Sequence, residues 1–166
     1  MWLLRSAPAQ AETTIAADLD LQVPVSVNGV GTGAGFGIRL GQELRLPLFS
    51  LNPEIGFTYA SFSKDEPPKV YRGIAGVRLG FGELIRFGVL AHVGFGYVSW
   101  SPRLDGSVVD LSHSGFTYDV GVFIEFIALP LLNIGVHGIY NRIAETDRQE
   151  DTLHWLQFGV HVTLVL

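Results

Sequence analysis

The sequence predicts an all-β fold, namely an eight-stranded antiparallel up-and-down transmembrane β-barrel. Three observations predict it: apolar and polar residues alternate in eight segments, long and short connections alternate between these segments, and the tyrosines gather at one end of them. The alternation is clearest in the last segment, 155–166. Its apolar face comprises Leu156, Phe158, Val160, Val162, Leu164 and Leu166. A period of two residues is typical of a strand, in which successive side chains point to opposite faces.

The composition agrees with a single-domain barrel and excludes several other classes. The 166 residues include 20 glycines and only 16% charged residues, which disfavours a helical bundle. No apolar run reaches the roughly 18 residues that a membrane helix needs. Cysteine is absent, which excludes disulfides and thiolate metal sites, and the net charge of −5 offers no basic patch for nucleic acid. The two lysines, Lys64 and Lys69, share one short polar segment, whereas a soluble β-protein usually scatters lysine over its outer faces.

Residues 1–14 are predicted to be the remnant of an export signal or a flexible N-terminus, and the barrel is predicted to span residues 15–166. The segment Ala9-Gln10-Ala11 has the small-x-small form that signal peptidase cleaves. The apolar part, Trp2 to Leu4, is short for a working signal, so a flexible N-terminus remains the alternative.

The alternation predicts a strand in each of eight segments. They are 15–27, 36–48, 54–62, 70–81, 85–99, 116–128, 134–142 and 155–166. Long connections follow the first, third, fifth and seventh strands, the last two of these at 101–114 and 144–154. Short turns follow the others, at Asn52-Pro53, Gly82-Glu83 and 130–133. Pro24 and Pro47 fall inside predicted strands, where proline removes a ladder donor, so each is interpreted as a bulge or a strand end.

A polar face opposes the apolar face in every predicted strand. In the first four strands it carries Asp18, Asp20 and Gln22, then Arg39, Glu43 and Arg45, then Glu54 and Thr58, then Arg72 and Arg78. In the last four it carries Arg86 and His92, then Asp119 and Glu125, then His137 and Asn141, then Gln157, Gly159, His161 and Thr163.

The apolar faces are predicted to point outward, into lipid. Alternation alone is compatible with either direction, but alternate long and short connections are typical of membrane barrels. The polar faces mix both charge signs with glycine, while the apolar faces carry no charge. All five tyrosines lie on the apolar face near the long connections, where an aromatic girdle would meet the lipid–water boundary. They are Tyr59, Tyr71, Tyr97, Tyr118 and Tyr140.

The last strand also resembles the C-terminal assembly signal of bacterial outer-membrane barrels. The matching residues are Gln157, Gly159, Val162 and Leu164, although the chain ends in Leu166 rather than an aromatic residue. With the strand number, connections and girdle, residues 15–166 resemble the small eight-stranded barrels of the OmpA/OmpX-like superfamily. The resemblance implies a bacterial outer-membrane location, outer-membrane lipid as the surroundings and the barrel-assembly machinery as a partner during insertion. We further expect a monomer without a cofactor.

Two segments contain residues that could carry out chemistry. His113-Ser114 suggests a hydrolase, since some outer-membrane barrels are lipid hydrolases that use His and Ser. The pair falls in a predicted loop, however, and we interpret it as part of a polar loop. The run 145–151 holds Glu145, Asp147, Glu150 and Asp151, and its carboxylates could bind a divalent cation. It lacks a calcium-loop spacing and is interpreted as a solvated acidic loop. His-rich metal spacings are absent, and no catalytic or metal residue is predicted.

The most informative polar set is predicted to fill the lumen with ion pairs. It comprises Arg39, Glu43, Arg45, Glu54, Arg72, Arg78, Arg86, Asp119 and Glu125. These residues could instead line a conductive path, but eight strands enclose a space just wide enough for side chains. The leading hypothesis is a non-enzymatic barrel whose external loops serve surface interaction or envelope integrity. The alternatives are a channel or transporter for small or apolar solutes and a lipid-modifying enzyme.

Overall fold

The structure, a computed structural model, describes residues 10–25, 30–63, 68–100, 103–104, 107–108, 111–145 and 153–166. Its strands are β1 (Gln10–Pro24), β2 (Gly33–Arg45), β3 (Ser50–Phe62), β4 (Lys69–Phe81), β5 (Ile85–Trp100), β6 (Arg103–Leu104), β7 (Ser107–Val108), β8 (Leu111–Leu129), β9 (Leu132–Glu145) and β10 (Leu153–Val165). Within these ranges, no helix has the length and apolar character needed to cross a membrane.

Eight of the strands form one closed antiparallel barrel, in the order β1-β10-β9-β8-β5-β4-β3-β2. The first and last strands close it, with Ile15 opposite Leu164 and Asp18 opposite His161. Reciprocal backbone hydrogen bonds between Thr13 and Leu166, of 3.0 and 2.8 Å, complete this seam. The predicted fold class is therefore confirmed.

One hairpin of the barrel extends beyond its neighbours. Strands β5 and β8 pair up to Trp100 and Leu111, whereas β9 follows β8 only as far as the pair Gly115–Glu145. The short strands β6 and β7 pair with each other between the two arms of this hairpin. The segment 101–114, predicted to be a loop, is thus partly strand. The fifth predicted strand ends at 99, one residue before the end of β5, and the sixth begins at 116, five residues after the start of β8. Polar residues obscure the alternation in this part of the chain.

Burial follows the predicted alternation. The polar faces point inward, and residues such as Asp119 and Glu125 are only 2% exposed. Large apolar residues point outward and are about half exposed, as for Val89 at 51% and Val122 at 61%. A closed barrel with this arrangement satisfies its backbone hydrogen bonds internally while presenting apolar side chains outside, which is what a bilayer requires.

Two of the short connections lie where the sequence predicts them, and the first does not. The chain turns at 82–84, where Gly82 adopts a φ of 111° that favours glycine, and at 130–131. The first turn was predicted at Asn52-Pro53 but lies at 46–49, where the Leu46 N–H donates to the Phe49 carbonyl at 2.9 Å. Pro47 is therefore in a turn, and Pro24 is the last residue of β1.

Pro53 is accommodated within β3 because one of its two ladders is interrupted. On the β4 side Pro53 lies opposite Val77, but on the β2 side the pairing passes from Gly41–Glu54 directly to Leu44–Leu51. The missing N–H of proline thus faces the unpaired positions. The sequence does not show that the pairing is interrupted here. Pro53 was therefore interpreted as a turn residue, and the first turn was predicted at the wrong position.

Several other strands are longer than predicted. Strand β1 begins at Gln10, five residues before the predicted start at 15, and pairs with Arg45 there. Ala144 and Glu145 belong to β9, and Leu153 and His154 to β10, although all four were assigned to a loop. Residues 1–9 lie outside the described residues, so an export-signal remnant stays a prediction for them. Most of the acidic run 145–151 lies outside them as well.

Candidate functional site in the barrel lumen

Arg39 is the centre of the buried ion-pair network. Its Nε and one terminal nitrogen donate to the two carboxylate oxygens of Asp18 at 2.9 and 2.7 Å. Its other terminal nitrogen donates to both oxygens of Glu54, at 2.8 and 3.0 Å. The stem of Arg39 crosses Gly56, where a Cβ would lie 2.8 Å from Arg39 Cγ, so glycine is required for this close approach. One guanidinium thus satisfies two buried carboxylates through bidentate hydrogen bonds.

His92 links this centre to the opposite wall of the barrel. Its Nε2 lies 2.8 Å from Glu54 Oε1 and its Nδ1 lies 2.6 Å from Asp119 Oδ1. Both ring nitrogens therefore face carboxylate oxygens, and an imidazolium in this position would donate to both. Arg72 completes the group: it donates to Thr58 at 3.0 Å and to Asp119 at 3.3 Å. We call Asp18, Arg39, Glu54, Arg72, His92 and Asp119 the central ionic cluster.

A second cluster fills the lumen toward the short turns. Arg86 pairs with Glu43 at 2.6 Å and with Glu125 at 3.2 Å. Arg78 lies above the Phe123 ring, with its guanidinium carbon 4.0 Å from the ring centroid. One terminal nitrogen of Arg78 lies 3.9 Å from Glu125 Oε1. We call Glu43, Arg78, Arg86 and Glu125 the turn-end cluster.

Two histidines on adjacent strands connect the two clusters. The Nδ1 atoms of His137 and His161 are 3.2 Å apart, the ring centroids are 5.4 Å apart, and the ring planes are inclined by 22°. His137 Nε2 lies 2.8 Å from Asp20 Oδ1, and His161 Nε2 lies 3.3 Å from Glu125 Oε1. We call His137 and His161 the histidine pair. The sequence pattern assigned both to the polar face, but the predicted lumen set omitted them and His92.

An apolar cluster closes the lumen at the end of the long connections. Its members are Ala60, Phe62, Val70, Val98, Ile143 and Trp155, and we call them the apolar plug. Trp155 has no exposed surface and meets Phe62 edge to face, with ring centroids 6.0 Å apart. A smaller apolar group of Leu90, Phe123 and Ile139 lies farther inside. The sequence analysis predicted a purely polar lumen and missed both groups.

Two small cavities lie between these side chains. A cavity of about 20 Å³ adjoins the central cluster, and one of about 10 Å³ adjoins the turn-end cluster. A single water molecule needs roughly 10–15 Å³. Each of these two cavities therefore holds about one water molecule.

Eight of the nine residues of the predicted lumen set lie inside the barrel. They are Arg39, Glu43, Glu54, Arg72, Arg78, Arg86, Asp119 and Glu125, all buried. The ninth, Arg45, lies at the end of β2 with its side chain 38% exposed, where it pairs with Glu12 at 2.9 Å. Strand register determines these partnerships, and the sequence does not specify register.

The five tyrosines of the predicted girdle all project from the outer face. Three lie side by side on consecutive strands: the rings of Tyr59 and Tyr71 are 5.1 Å apart, and those of Tyr71 and Tyr97 are 6.4 Å apart. Tyr118 accepts a hydrogen bond from Arg142 at 3.2 Å, and the Tyr140 ring lies 5.9 Å from that of His154. Their position at a lipid–water boundary stays a prediction.

The four residues of the predicted assembly signal divide between the faces of β10. Gln157 is buried and accepts a hydrogen bond from Asn141 at 3.3 Å, and Gly159 shares its inward face. Val162 and Leu164 are 42% and 44% exposed on the outside. The split follows from their spacing, because odd and even positions of a strand point to opposite faces.

His113 and Ser114 were predicted to lie in a loop, and that prediction is wrong. Both lie in β8, opposite Val98 and Tyr97 respectively. Adjacent residues of a strand point to opposite faces, so the Ser114 hydroxyl and the His113 ring cannot act as a nucleophile and base toward one another.

The fold is that of the small outer-membrane β-barrels. Among solved structures it is similar to Neisserial surface protein A, with a TM-score of 0.64 and 17% identity over 93% of this chain and 98% of that one. It is also similar to Ail, the attachment invasion locus protein of Yersinia pestis, with a TM-score of 0.61 and 16% identity over 95% and 99% of the two chains.

A third structure with this fold is the outer membrane enzyme PagL, with a TM-score of 0.56 and 15% identity over 89% of this chain and 98% of that one. No protein-family model matches the sequence, and no curated protein does either. At these identities the likenesses show the fold. By their names the three proteins differ in role, so function is argued from the site.

Proposed function

We propose that the protein is a non-enzymatic β-barrel of the bacterial outer membrane whose external loops serve surface interaction or envelope integrity. The observation that carries this proposal is the filled lumen: buried ion pairs and the apolar plug occupy the interior among the described residues. With the interior occupied and the outer wall apolar, the strand connections are the surfaces left to contact other molecules.

The extended β5–β8 hairpin supports the assignment of the long connections as the functional surface. It continues past the end of β9 and carries the paired strands β6 and β7. Short turns on one side and longer loops on the other are typical of outer-membrane barrels, whose long loops are external. The barrel is proposed to insert as a monomer into outer-membrane lipid with the help of the barrel-assembly machinery, which fits the resemblance of its last strand to an assembly signal.

Protease accessibility tests the location and orientation. Protease added to intact cells that express the protein should cleave within 101–114 or 144–154 and spare the turns at 46–49 and 82–84. Lysed cells provide the control, since all connections are then accessible. Cleavage confined to the short turns in intact cells would reverse the orientation, and recovery in the soluble fraction would contradict the membrane assignment.

Conductance tests the filled lumen. The unmodified protein, reconstituted into a planar bilayer, is expected to give no stable single-channel current, because each cavity holds about one water molecule. A large porin in the same bilayer is the positive control. Stable currents from this protein would instead favour the channel or transporter alternative.

A further inference from the structure

We propose that His137, His161 and Asp18 form a binding site for one divalent transition-metal ion of the zinc class. A ligand atom from each residue lies within 4.8 Å of the others, and all three side chains are buried. The residues belong to β9, β10 and β1, the strands on either side of the closing seam. A metal held here fastens the first strand of the barrel to the last two.

The spacing of the two histidines suits a tetrahedral metal. Zinc binds imidazole nitrogen at about 2.0–2.1 Å, and tetrahedral angles then place two nitrogens about 3.3 Å apart. The observed separation of the two Nδ1 atoms is 3.2 Å. Both Asp18 oxygens accept hydrogen bonds from Arg39, so Asp18 would bind the ion with a lone pair that Arg39 leaves free or through one bound water. Imidazole ligands select zinc-like metals over magnesium and calcium, which prefer oxygen.

The outer nitrogens of the histidine pair have the partners that metal-bound histidines usually have. His137 Nε2 faces Asp20 at 2.8 Å and His161 Nε2 faces Glu125 at 3.3 Å. A carboxylate on the far nitrogen fixes the ring orientation and directs the lone pair of the near nitrogen toward the metal. When both Nε2 atoms donate, the two Nδ1 lone pairs point at each other, and a cation between them removes the repulsion.

The surrounding charge also attracts a cation. Two carboxylates besides Asp18 lie next to the histidine pair: Asp20 Oδ1 is 2.8 Å from His137 Nε2 and Glu125 Oε1 is 3.3 Å from His161 Nε2. The cavity of about 20 Å³ is lined by both Asp18 and His137, and it has room for the one water that completes a four-coordinate site.

A shared proton is the competing arrangement. Arg78 lies 3.3 Å from His161 Nε2, the same distance as Glu125, and a guanidinium only donates. If Arg78 sets the tautomer, His161 Nδ1 carries a proton and donates it to His137, and no metal is needed. Arg39, which is bonded to Asp18, also repels a cation. The experiment must therefore separate a metal from a proton.

Cobalt binding provides the first measurement. The protein without a purification tag is refolded from urea into detergent with Co²⁺, and excess metal is removed by gel filtration. We expect one Co²⁺ per barrel with the intense visible absorption of a tetrahedral site, displaced by Zn²⁺. His137→Gln and His161→Gln should each lower cobalt affinity more than about tenfold, since loss of an outer carboxylate alone costs roughly 10–100-fold. Asp20→Asn should fall in that range.

The matched control is His113→Gln, which removes a histidine of β8 away from the site and should retain the full cobalt signal. Histidine ¹⁵N NMR of the unmodified protein keeps the test valid if the site variants fail to fold. Zn²⁺ is expected to shift the Nδ1 resonances of two histidines. The proposal would be overturned by a proton on one Nδ1 that persists in excess Zn²⁺, by no retained cobalt, or by cobalt retention in both site variants equal to that of the unmodified protein.

Discussion

The two ends of the lumen are filled by different chemistry. Toward the short turns, Arg86 and its partners Glu43 and Glu125 form a directional network in which each charge depends on specific neighbours. Toward the long connections, the apolar plug packs Trp155 against Phe62 without charge. A buried charge is costly once its partner is lost, whereas an apolar contact is lost only in proportion to the volume removed. The ionic end should therefore be sensitive to single substitutions and the apolar end more tolerant.

Arg72 joins the two kinds of filling. Its guanidinium lies over the Trp155 ring, 5.0 Å from the centroid, and also pairs with Asp119 at 3.3 Å. Arginine suits this position because its planar guanidinium stacks on aromatic rings while its N–H groups bind carboxylates. The plug and the central ionic cluster are therefore continuous, and no gap separates them at this residue.

The largest effect is expected at the centre of the ionic network. Arg39→Ala strands the carboxylates of Asp18 and Glu54 and should lower the free energy of unfolding by about 3–5 kcal/mol, the cost of breaking a buried pair. Urea titration of the barrel in lipid vesicles measures it. Arg39→Met combined with Asp18→Leu and Glu54→Leu removes the charges of these three residues, leaves Asp119 as the remaining carboxylate partner of His92, and should recover part of the loss. A single variant as stable as the unmodified protein would show that these charges are hydrated.

A smaller effect is expected on the outer wall. Val122 is 61% exposed near the middle of β8, and Val122→Arg should cost about 2–4 kcal/mol because it places a charge at the bilayer midplane. Val122→Leu is the matched control and should be nearly neutral. The same urea titration in vesicles applies, and a harmless arginine here would contradict the outward direction of the apolar face.

The difference between the two fillings also explains what the sequence could predict. Each side chain indicates its own face through its position in the alternation, so Val89 and Glu125 were placed correctly. Which charges meet across the lumen depends on register and strand tilt, which alternation does not encode. The pairing of Arg39 with Asp18 and Glu54 therefore could not be assigned.

The apolar plug was missed for a related reason. Phe62, Val98 and Trp155 occupy inward positions near the ends of β3, β5 and β10. The predicted strands also end near these positions, and the alternation of polar and apolar residues is weaker there. The histidine pair was missed because its two members are far apart in the chain. His137 and His161 meet only through the pairing of β9 with β10. Metal ligands that lie within one segment can be recognised in the sequence by their spacing, whereas ligands brought together from two strands cannot.

The apolar plug offers a test of close packing. A Cβ at Gly96 would lie 2.7 Å from Ile143 Cδ1, so Gly96→Ala should cost about 1–3 kcal/mol through overpacking. Adding Ile143→Val removes the crowded methyl and should restore part of the loss, which a double-mutant cycle measures. Gly73→Ala is the control, because no atom lies within 4 Å of its added Cβ. Equal losses at Gly96 and Gly73, without coupling to Ile143, would show that the plug is loosely packed.

The smallest effect is expected for the arginine of β2 that lies at the rim. Arg45 pairs with Glu12 at 2.9 Å, but the two side chains are 38% and 22% exposed, so water and salt screen the attraction. Its second partner, Glu43, keeps Arg86 at 2.6 Å when Arg45 is removed. Arg45→Ala should therefore cost only about 0.2–1 kcal/mol, as exposed pairs do, and the loss should shrink as salt is added to the urea titration. Arg39→Ala on the same strand should keep its larger loss in high salt because its partners are buried. If the two substitutions cost the same and respond equally to salt, burial does not separate the rim from the lumen centre.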